Sequence, residues 1–204
     1  MNFDDRAITW DDEYRVKRAK IISQEIKKSI PIKENCTALE FGCGTGLISF
    51  NLHDTFKAIT LIDTSKGMID VVNLKKEQYK IHNMVAYETD ISKNQMLNEK
   101  YDVIYTSMAL HHVEDINGTL IALYNLMNPE GYLCIVDLVK DDGSFHKAEK
   151  DFRGHHGFEA QELKGKLQDI GLKDINSRVF YTDKKSIGDE KIDYFLFIMI
   201  GKKK

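Results

Sequence analysis

Three sets of residues in this 204-residue chain have types and spacings that could do chemistry. The first is Glu40-Phe41-Gly42-Cys43-Gly44-Thr45-Gly46, an acid followed by three alternate glycines, set between an apolar run and Leu47, Ile48 and Phe50. Glycine permits positive φ and leaves backbone N–H groups unshielded by any Cβ, so a ligand belongs against this turn. The dinucleotide pattern G-x-G-x-x-G would place its third glycine at position 47, which is Leu. Glu40 would repel a pyrophosphate and attract an ammonium or sulfonium group. The second set is Asp63, with Asp90 and Ile91. Asp63 can accept both hydroxyls of a ribose, Asp90 can accept from an exocyclic adenine amine, and Ile91 can cover a ring face, so adenosine is implied. Each of these features also has a purely structural use: the glycines as a tight turn and either Asp as a helix N-cap. The third set is histidine, the side chain poised for proton transfer near neutral pH. Five of the seven fall at His111-His112, His146 and His155-His156.

The elements that must hold these residues follow from hydrophobic period. Val16, Ala19, Ile22, Ile26 and Ile30 recur at steps of three or four, which predicts a helix over residues 13–29. Short β-branched and aromatic runs at 37–41, 58–63, 84–87, 101–106 and 132–139, separated by helical or polar stretches, predict right-handed βαβ crossovers and a parallel sheet. Two further strand-like runs, 175–181 and 194–201, are separated by only a polar segment and predict an antiparallel hairpin at the end. The two prolines, Pro31 and Pro129, sit between elements, and nothing marks a domain boundary.

Taken in order, Leu39-Glu40-Phe41-Gly42-Cys43-Gly44-Thr45-Gly46, Asp63, Asp90-Ile91 and Leu110-His111-His112-Val113 resemble the motifs of class I S-adenosylmethionine-dependent methyltransferases, over about residues 3–201. Within that superfamily the chain is most similar to the small-molecule group that includes quinone-biosynthetic members. The resemblance implies an α/β fold, a Rossmann-like seven-stranded methyltransferase sandwich with a mainly parallel sheet ending in an antiparallel hairpin, in one domain. It implies S-adenosyl-L-methionine as cofactor and a small organic molecule as methyl acceptor. It places Glu40 and the backbone of Gly42, Cys43, Gly44, Thr45 and Gly46 against the aminocarboxypropyl arm and sulfur, and Asp63 on the ribose. Thr64 and Met68 would line the adenine side, with Asp90 and Ile91 on its edge and face. Ser107, Leu110 and His111 would lie under the methionine moiety.

A sulfonium methyl group needs mainly in-line approach, and a base is required only where the acceptor must first lose a proton. His112, His155 and His156 are the candidates for that role, each with a helix-capping or surface reading beside it. His111 reads as a cofactor shelf. Residues 140–158 are expected to form a substrate lid. Residues 1–30 are expected to form a flap and helix, in which Trp10 either offers a π-face to the sulfonium or staples the helix entry. No metal site is expected: the histidine pairs and Asp137 could converge, but consecutive residues rarely both reach one ion. Cys43 beside Glu40 is expected to be a poor nucleophile.

Composition narrows the classes. Lys+Arg 29 against Asp+Glu 32 gives a net charge of -3, so no global positive field draws the chain onto nucleic acid or anionic lipid. Thr106-Ser107-Met108-Ala109-Leu110 also lacks the Asn/Asp-Pro-Pro-aromatic signature of enzymes similar to base aminomethyltransferases. Three cysteines without C-x-x-C spacing, a polar acidic start and no apolar run of about 20 residues lead to the expectation of a soluble, cytoplasmic protein without a membrane partner. It would be a monomer, or a homodimer joined through the edge of 194–201. Two other functions use the same residues: a non-catalytic S-adenosylmethionine-binding regulatory module, and an NAD-dependent oxidoreductase.

Overall fold

The computed structural model describes residues 3–91, 97, 99–149 and 151–204. The first two residues of the expected N-terminal flap and residue 150 of the expected lid lie outside these. The elements run α1 (Glu13–Ser29), β1 (Thr37–Phe41), α2 (Leu47–Leu52), β2 (Ala58–Asp63), α3 (Lys66–Tyr79), β3 (Met84–Glu88), β4 (Tyr101–Ser107), α4 (Ile116–Asn125), β5 (Met127–Leu138), α5 (Ala160–Asp169), β6 (Leu172–Ile187) and β7 (Glu190–Lys203). A two-turn 3-10 helix lies at Asp4–Thr9, and single 3-10 turns lie at Leu110–His112 and Ser144–His146.

Seven strands form one sheet in the order β3-β2-β1-β4-β5-β7-β6. The first five are parallel, and β7 runs antiparallel to both its neighbours. The period-two alternation of the strands splits their side chains between two cores. Ala38, Ile59, Leu61, Val103 and Tyr105 pack beneath Ile22 and Ile26 of α1, Leu52 of α2 and Val72 of α3. Leu39, Ile62, Ile104 and Ile135 pack on the other face against Leu120 and Leu123 of α4 and Leu163 and Leu167 of α5. Along the predicted stripe of α1, Ala19, Ile22, Ile26 and Ile30 are buried, whereas Val16 is 43% exposed.

The hairpin differs from its sequence reading in one respect. β7 is paired on both sides, to β5 through residues such as Cys134 and Ile200 and to β6 through residues such as Arg178 and Ile198. Its backbone donors and acceptors are therefore spent, and residues 194–201 offer no free edge for a dimer; the free edge on that side belongs to β6. Among the described residues, no helix is long and apolar enough to cross a membrane.

Strand order reverses between β1 and β4, the switch point at which open α/β sheets hold ligands beyond the carboxyl ends of their strands. The functional residues gather there.

Candidate functional site

A cleft of about 1100 Å³ opens over the ends of β1, β2 and β4. Its floor is the glycine turn that carries β1 into α2. Gly42, Gly44 and Gly46 all have positive φ, at 66°, 52° and 77°. At Gly42 a Cβ would lie 2.3 Å from the Cβ of Ala109, so the turn closes on the end of β4 only because this side chain is absent. At Gly44 a Cβ would point into space, meeting nothing nearer than Trp10 Nε1 at 3.8 Å, and the bare backbone there is a cradle for a ligand.

Asp63 fixes the turn from the neighbouring strand. One carboxylate oxygen accepts from Gly44 N–H at 2.8 Å and the other from Ser65 N–H at 2.9 Å. Burial raises its pKa from the ordinary carboxylate value, against these backbone donors. It is not a helix cap: Ser65 caps α3 by accepting from Met68 N–H at 3.2 Å. Thr64, Met68, Asp90 and Ile91 line the same end of the cleft, as does Ser107 at the tip of β4.

Two expected members fall elsewhere. Gly46 does not line the cleft, because it has already turned into α2 and packs against Leu61 and Phe50. Leu110 is fully buried in the α4/α5 core, since the 3-10 turn directs it away from the cleft and His111 toward it.

Glu40 borders the cleft but is not the charged cradle its sequence position suggests. Its carboxyl turns toward Ser49, whose hydroxyl and N–H both donate to it, and that hydroxyl lies 2.6 Å from the hydroxyl of Tyr105. Burial pushes its pKa up to about 8, against the two bonds from Ser49, which favours the protonated form. Attraction of a cation by Glu40 is correspondingly weak. Burial, with Glu40 and Asp63 next in effect, also pushes the Cys43 thiol well up, which agrees with an inert thiol there.

The N-terminal segment is clamped over this floor. Asp4 accepts from Ser65 Oγ and from Gly67 N–H, both at 2.7 Å, and so joins the N-terminus of α3. Asp11 accepts from Thr45 Oγ1 and pairs with Lys75 at 2.8 Å, while Lys75 also donates to the Thr45 carbonyl at 2.9 Å. Trp10 lies above Gly44, with the Arg15 guanidinium 4.2 Å from its ring centroid and that of Arg6 at 5.4 Å. Its π-system therefore already holds cations of the chain itself. It does not staple the helix entry, because the N-cap is Asp12 and Trp10 precedes it by two residues.

The opposite end of the cleft is built from histidines. The His111 ring donates from Nδ1 to Asp137 at 2.5 Å, and its backbone N–H reaches the other carboxylate oxygen at 3.2 Å. Both side chains are essentially fully buried. The His111 and His112 rings lie 4.2 Å apart, and His146, from the turn after β5, lies 5.1 Å from the first and 5.8 Å from the second. Phe152 stacks on His146 at 3.7 Å, within 5° of parallel. Burial, with His111 next in effect, pushes the pKa of both His112 and His146 down to about 3. His112 is thus neutral at physiological pH and a feeble proton acceptor, which is poor provision for the general-base role expected of it.

His155 and His156 do not reach the cleft. They border a second cavity, of about 600 Å³, behind the histidine turn. The backbone explains this: His155 N–H donates to the His111 carbonyl at 2.6 Å, and Gly154 allows the approach, since a Cβ there would lie 2.1 Å from that oxygen. The His155 ring packs on Phe158 at 5.8 Å, and the His156 ring lies behind His146 and Phe152, at 6.0 and 5.5 Å. His146, which sequence reasoning left unassigned, takes the place expected for them. Its only sequence signal was a histidine in the segment after the fifth strand.

An open parallel sheet with a bare glycine turn, a strand-end acid beside it and a crevice at the switch point defines a nucleoside-binding α/β architecture. The family model described as a methyltransferase domain matches residues 32–187, and the chain belongs to that family. An uncharacterized methyltransferase of Schizosaccharomyces pombe is 30% identical over 154 residues, covering 69% of this chain and 54% of its own length. The chain thus spans about half the length of the curated relatives it matches. A SAM-dependent methyltransferase from Aquifex aeolicus has a similar fold, with a TM-score of 0.71 and 19% identity over 98% of this chain and 97% of that one. A Haemonchus contortus phosphoethanolamine N-methyltransferase, solved with phosphomonomethylethanolamine and S-adenosylhomocysteine, superimposes with a TM-score of 0.72 and 12% identity, over 90% of this chain and 52% of its own.

Proposed function

We propose that the protein binds S-adenosyl-L-methionine in this cleft and transfers its methyl group to a small organic acceptor. The observation that carries the reading is the floor itself: Gly44 bare toward the cleft, locked by Asp63, at the switch point of a methyltransferase-family sheet. Bound there, the cofactor supplies an activated sulfonium methyl group.

The residues of the chain supply position. Asp63 spends one lone pair of each oxygen on backbone N–H groups, and the remaining lone pairs accept the ribose hydroxyls. Met68, Thr64 and Ile91 enclose the adenine, and Asp90 takes its amine. The backbone of Gly42, Cys43, Gly44 and Thr45 and the tip of β4 at Ser107 hold the amino-acid arm. Arg18, on the cleft wall, meets the carboxylate, and residues 3–12 with Trp10 form a flap that excludes water. The histidine end, with Phe145 and Glu149 from residues 140–158, encloses the acceptor. All three cysteines are free thiols, which suits a reducing cytoplasm.

The test is calorimetric titration with S-adenosylhomocysteine and with NAD, followed by a search for S-adenosylhomocysteine release from labelled cofactor in a metabolite extract. Binding of the former with turnover is expected. Binding without turnover would favour a regulatory module, and a preference for NAD would end the reading.

A further inference from the structure

The histidine end of the cleft has a construction that enclosing an acceptor does not require. His111, His112 and His146 each present one ring nitrogen, and the three nitrogens lie within 4.8 Å of one another. Three imidazoles around one ion at about 2.0–2.1 Å would place their ring centroids roughly 5 Å apart. The observed separations of 4.2, 5.1 and 5.8 Å bracket that value, so small ring rotations suffice.

Two further observations point to a cation. His146 is 4% exposed, and its Nδ1 has no hydrogen-bond partner, an omission that costs about 1–3 kcal/mol unless something binds there. Asp137 is completely buried, with one carboxylate oxygen on His111 Nδ1 and on Leu138 N–H at 2.7 Å. A carboxylate that holds one nitrogen of a histidine leaves the other with its lone pair directed outward, which is how metal-bound histidines are oriented. A divalent ion would also offset the buried negative charge.

We propose that His111, His112 and His146 bind one divalent transition-metal ion, with Asp137 positioning His111 from behind and the fourth coordination position facing the cleft. Three imidazoles and an open position suit zinc and its neighbours in the first transition row. The tight 3-10 turn at Leu110–His112 is what allows two consecutive histidines to share a centre, against the expectation from sequence. The site would act as a Lewis acid, lowering the pKa of an oxygen or sulfur acceptor that enters the fourth position. The proposal does not depend on the identity of the nucleoside cofactor.

The experiment uses untagged full-length protein stripped with a chelator and titrated with zinc chloride, and separately with cobalt(II) chloride followed by its visible spectrum. One equivalent should bind at micromolar or lower concentration, with the intense d–d bands of a four-coordinate cobalt site. His146→Gln should weaken zinc binding at least about 100-fold, and Asp137→Asn by about 10- to 100-fold, as for other outer partners of metal-bound histidine. His82→Gln, at an exposed histidine, should bind as wild type. Failure of the wild type to take up a stoichiometric ion would overturn the proposal, as would unchanged binding in a folded His112→Gln/His146→Gln variant. Should that variant not fold, imidazole NMR of the wild type decides: zinc-induced shifts at His111, His112 and His146 uphold the site, and shifts confined to His53 and His82 refute it.

Discussion

The two ends of the cleft are made in different ways. The floor between β1 and β2 is backbone: three glycines at positive φ, locked by the carboxylate of Asp63. The far wall is side chain: three histidines and an aspartate brought together from a turn after β4, the end of β5 and the turn beyond it. A backbone site tolerates little change at its own positions, because a single Cβ alters the path of the chain. A side-chain site can lose a member and keep its fold, because the scaffold lies elsewhere.

The sharpest way to break this contrast is Gly42→Ala. The new Cβ would meet Ala109 at 2.3 Å on a residue with φ of 66°, so the variant is expected to lose about 2–4 kcal/mol of stability, together with most of its affinity for S-adenosylhomocysteine. A melting temperature within 2 °C of wild type, equivalent to about 0.5–1 kcal/mol or less for a chain of this size, would show that the floor is pliable. Next in size is Asp63→Ala, expected to weaken S-adenosylhomocysteine binding by about 1.5–3 kcal/mol in calorimetry while leaving the histidine wall intact. Unchanged affinity would remove Asp63 from the ribose.

A third probe uses pH. Because the Glu40 carboxyl titrates at about 8 in the fold and near 4.5 when unfolded, the native state holds an extra proton between those values. Stability should therefore fall as pH rises through that window, by up to about 1.4 kcal/mol per unit. Glu40→Gln, which mimics the protonated form, should flatten the slope in denaturant titrations run from pH 5 to 8. Equal slopes in the two proteins would return Glu40 to the ionised state. The smallest effect is expected at His155→Ala, since its backbone rather than its ring holds the His111 turn. Binding and turnover should stay within about twofold, and a tenfold loss of turnover would bring its side chain back into the site.

The same contrast explains what could be read before folding. Strand ends, the glycine run and the acids that follow it are local patterns, and each of β1 to β4 lies within a residue of its apolar run, whereas β5 starts at Met127, five residues ahead of its run, and takes in Pro129, which the sequence had placed between elements. His146 was not legible, because its nearness to His111 depends on how the chain returns after β5. The burial of Glu40 was not legible for a related reason: burial belongs to the packed state, and no neighbour in sequence announces Ser49 and Tyr105. The free edge was misplaced because two adjacent strands of a hairpin look alike until one of them is inserted beside β5. His155 and His156 were placed near the chemistry by residue type and segment, whereas the bond from His155 N–H to the His111 carbonyl, which Gly154 permits, depends on the packed state.

The contacts of Asp11 carry a kinetic consequence. Thr45 belongs to the floor and Lys75 to α3, so the strap formed by residues 3–12 is tied to both sides of the entrance by a partly buried ion pair. If this strap covers a bound nucleoside, as the proposed flap would, release requires that the tie open. Residence time in the cleft should then shorten as salt screens the Asp11–Lys75 attraction, even where equilibrium contacts with the bound molecule are unaltered.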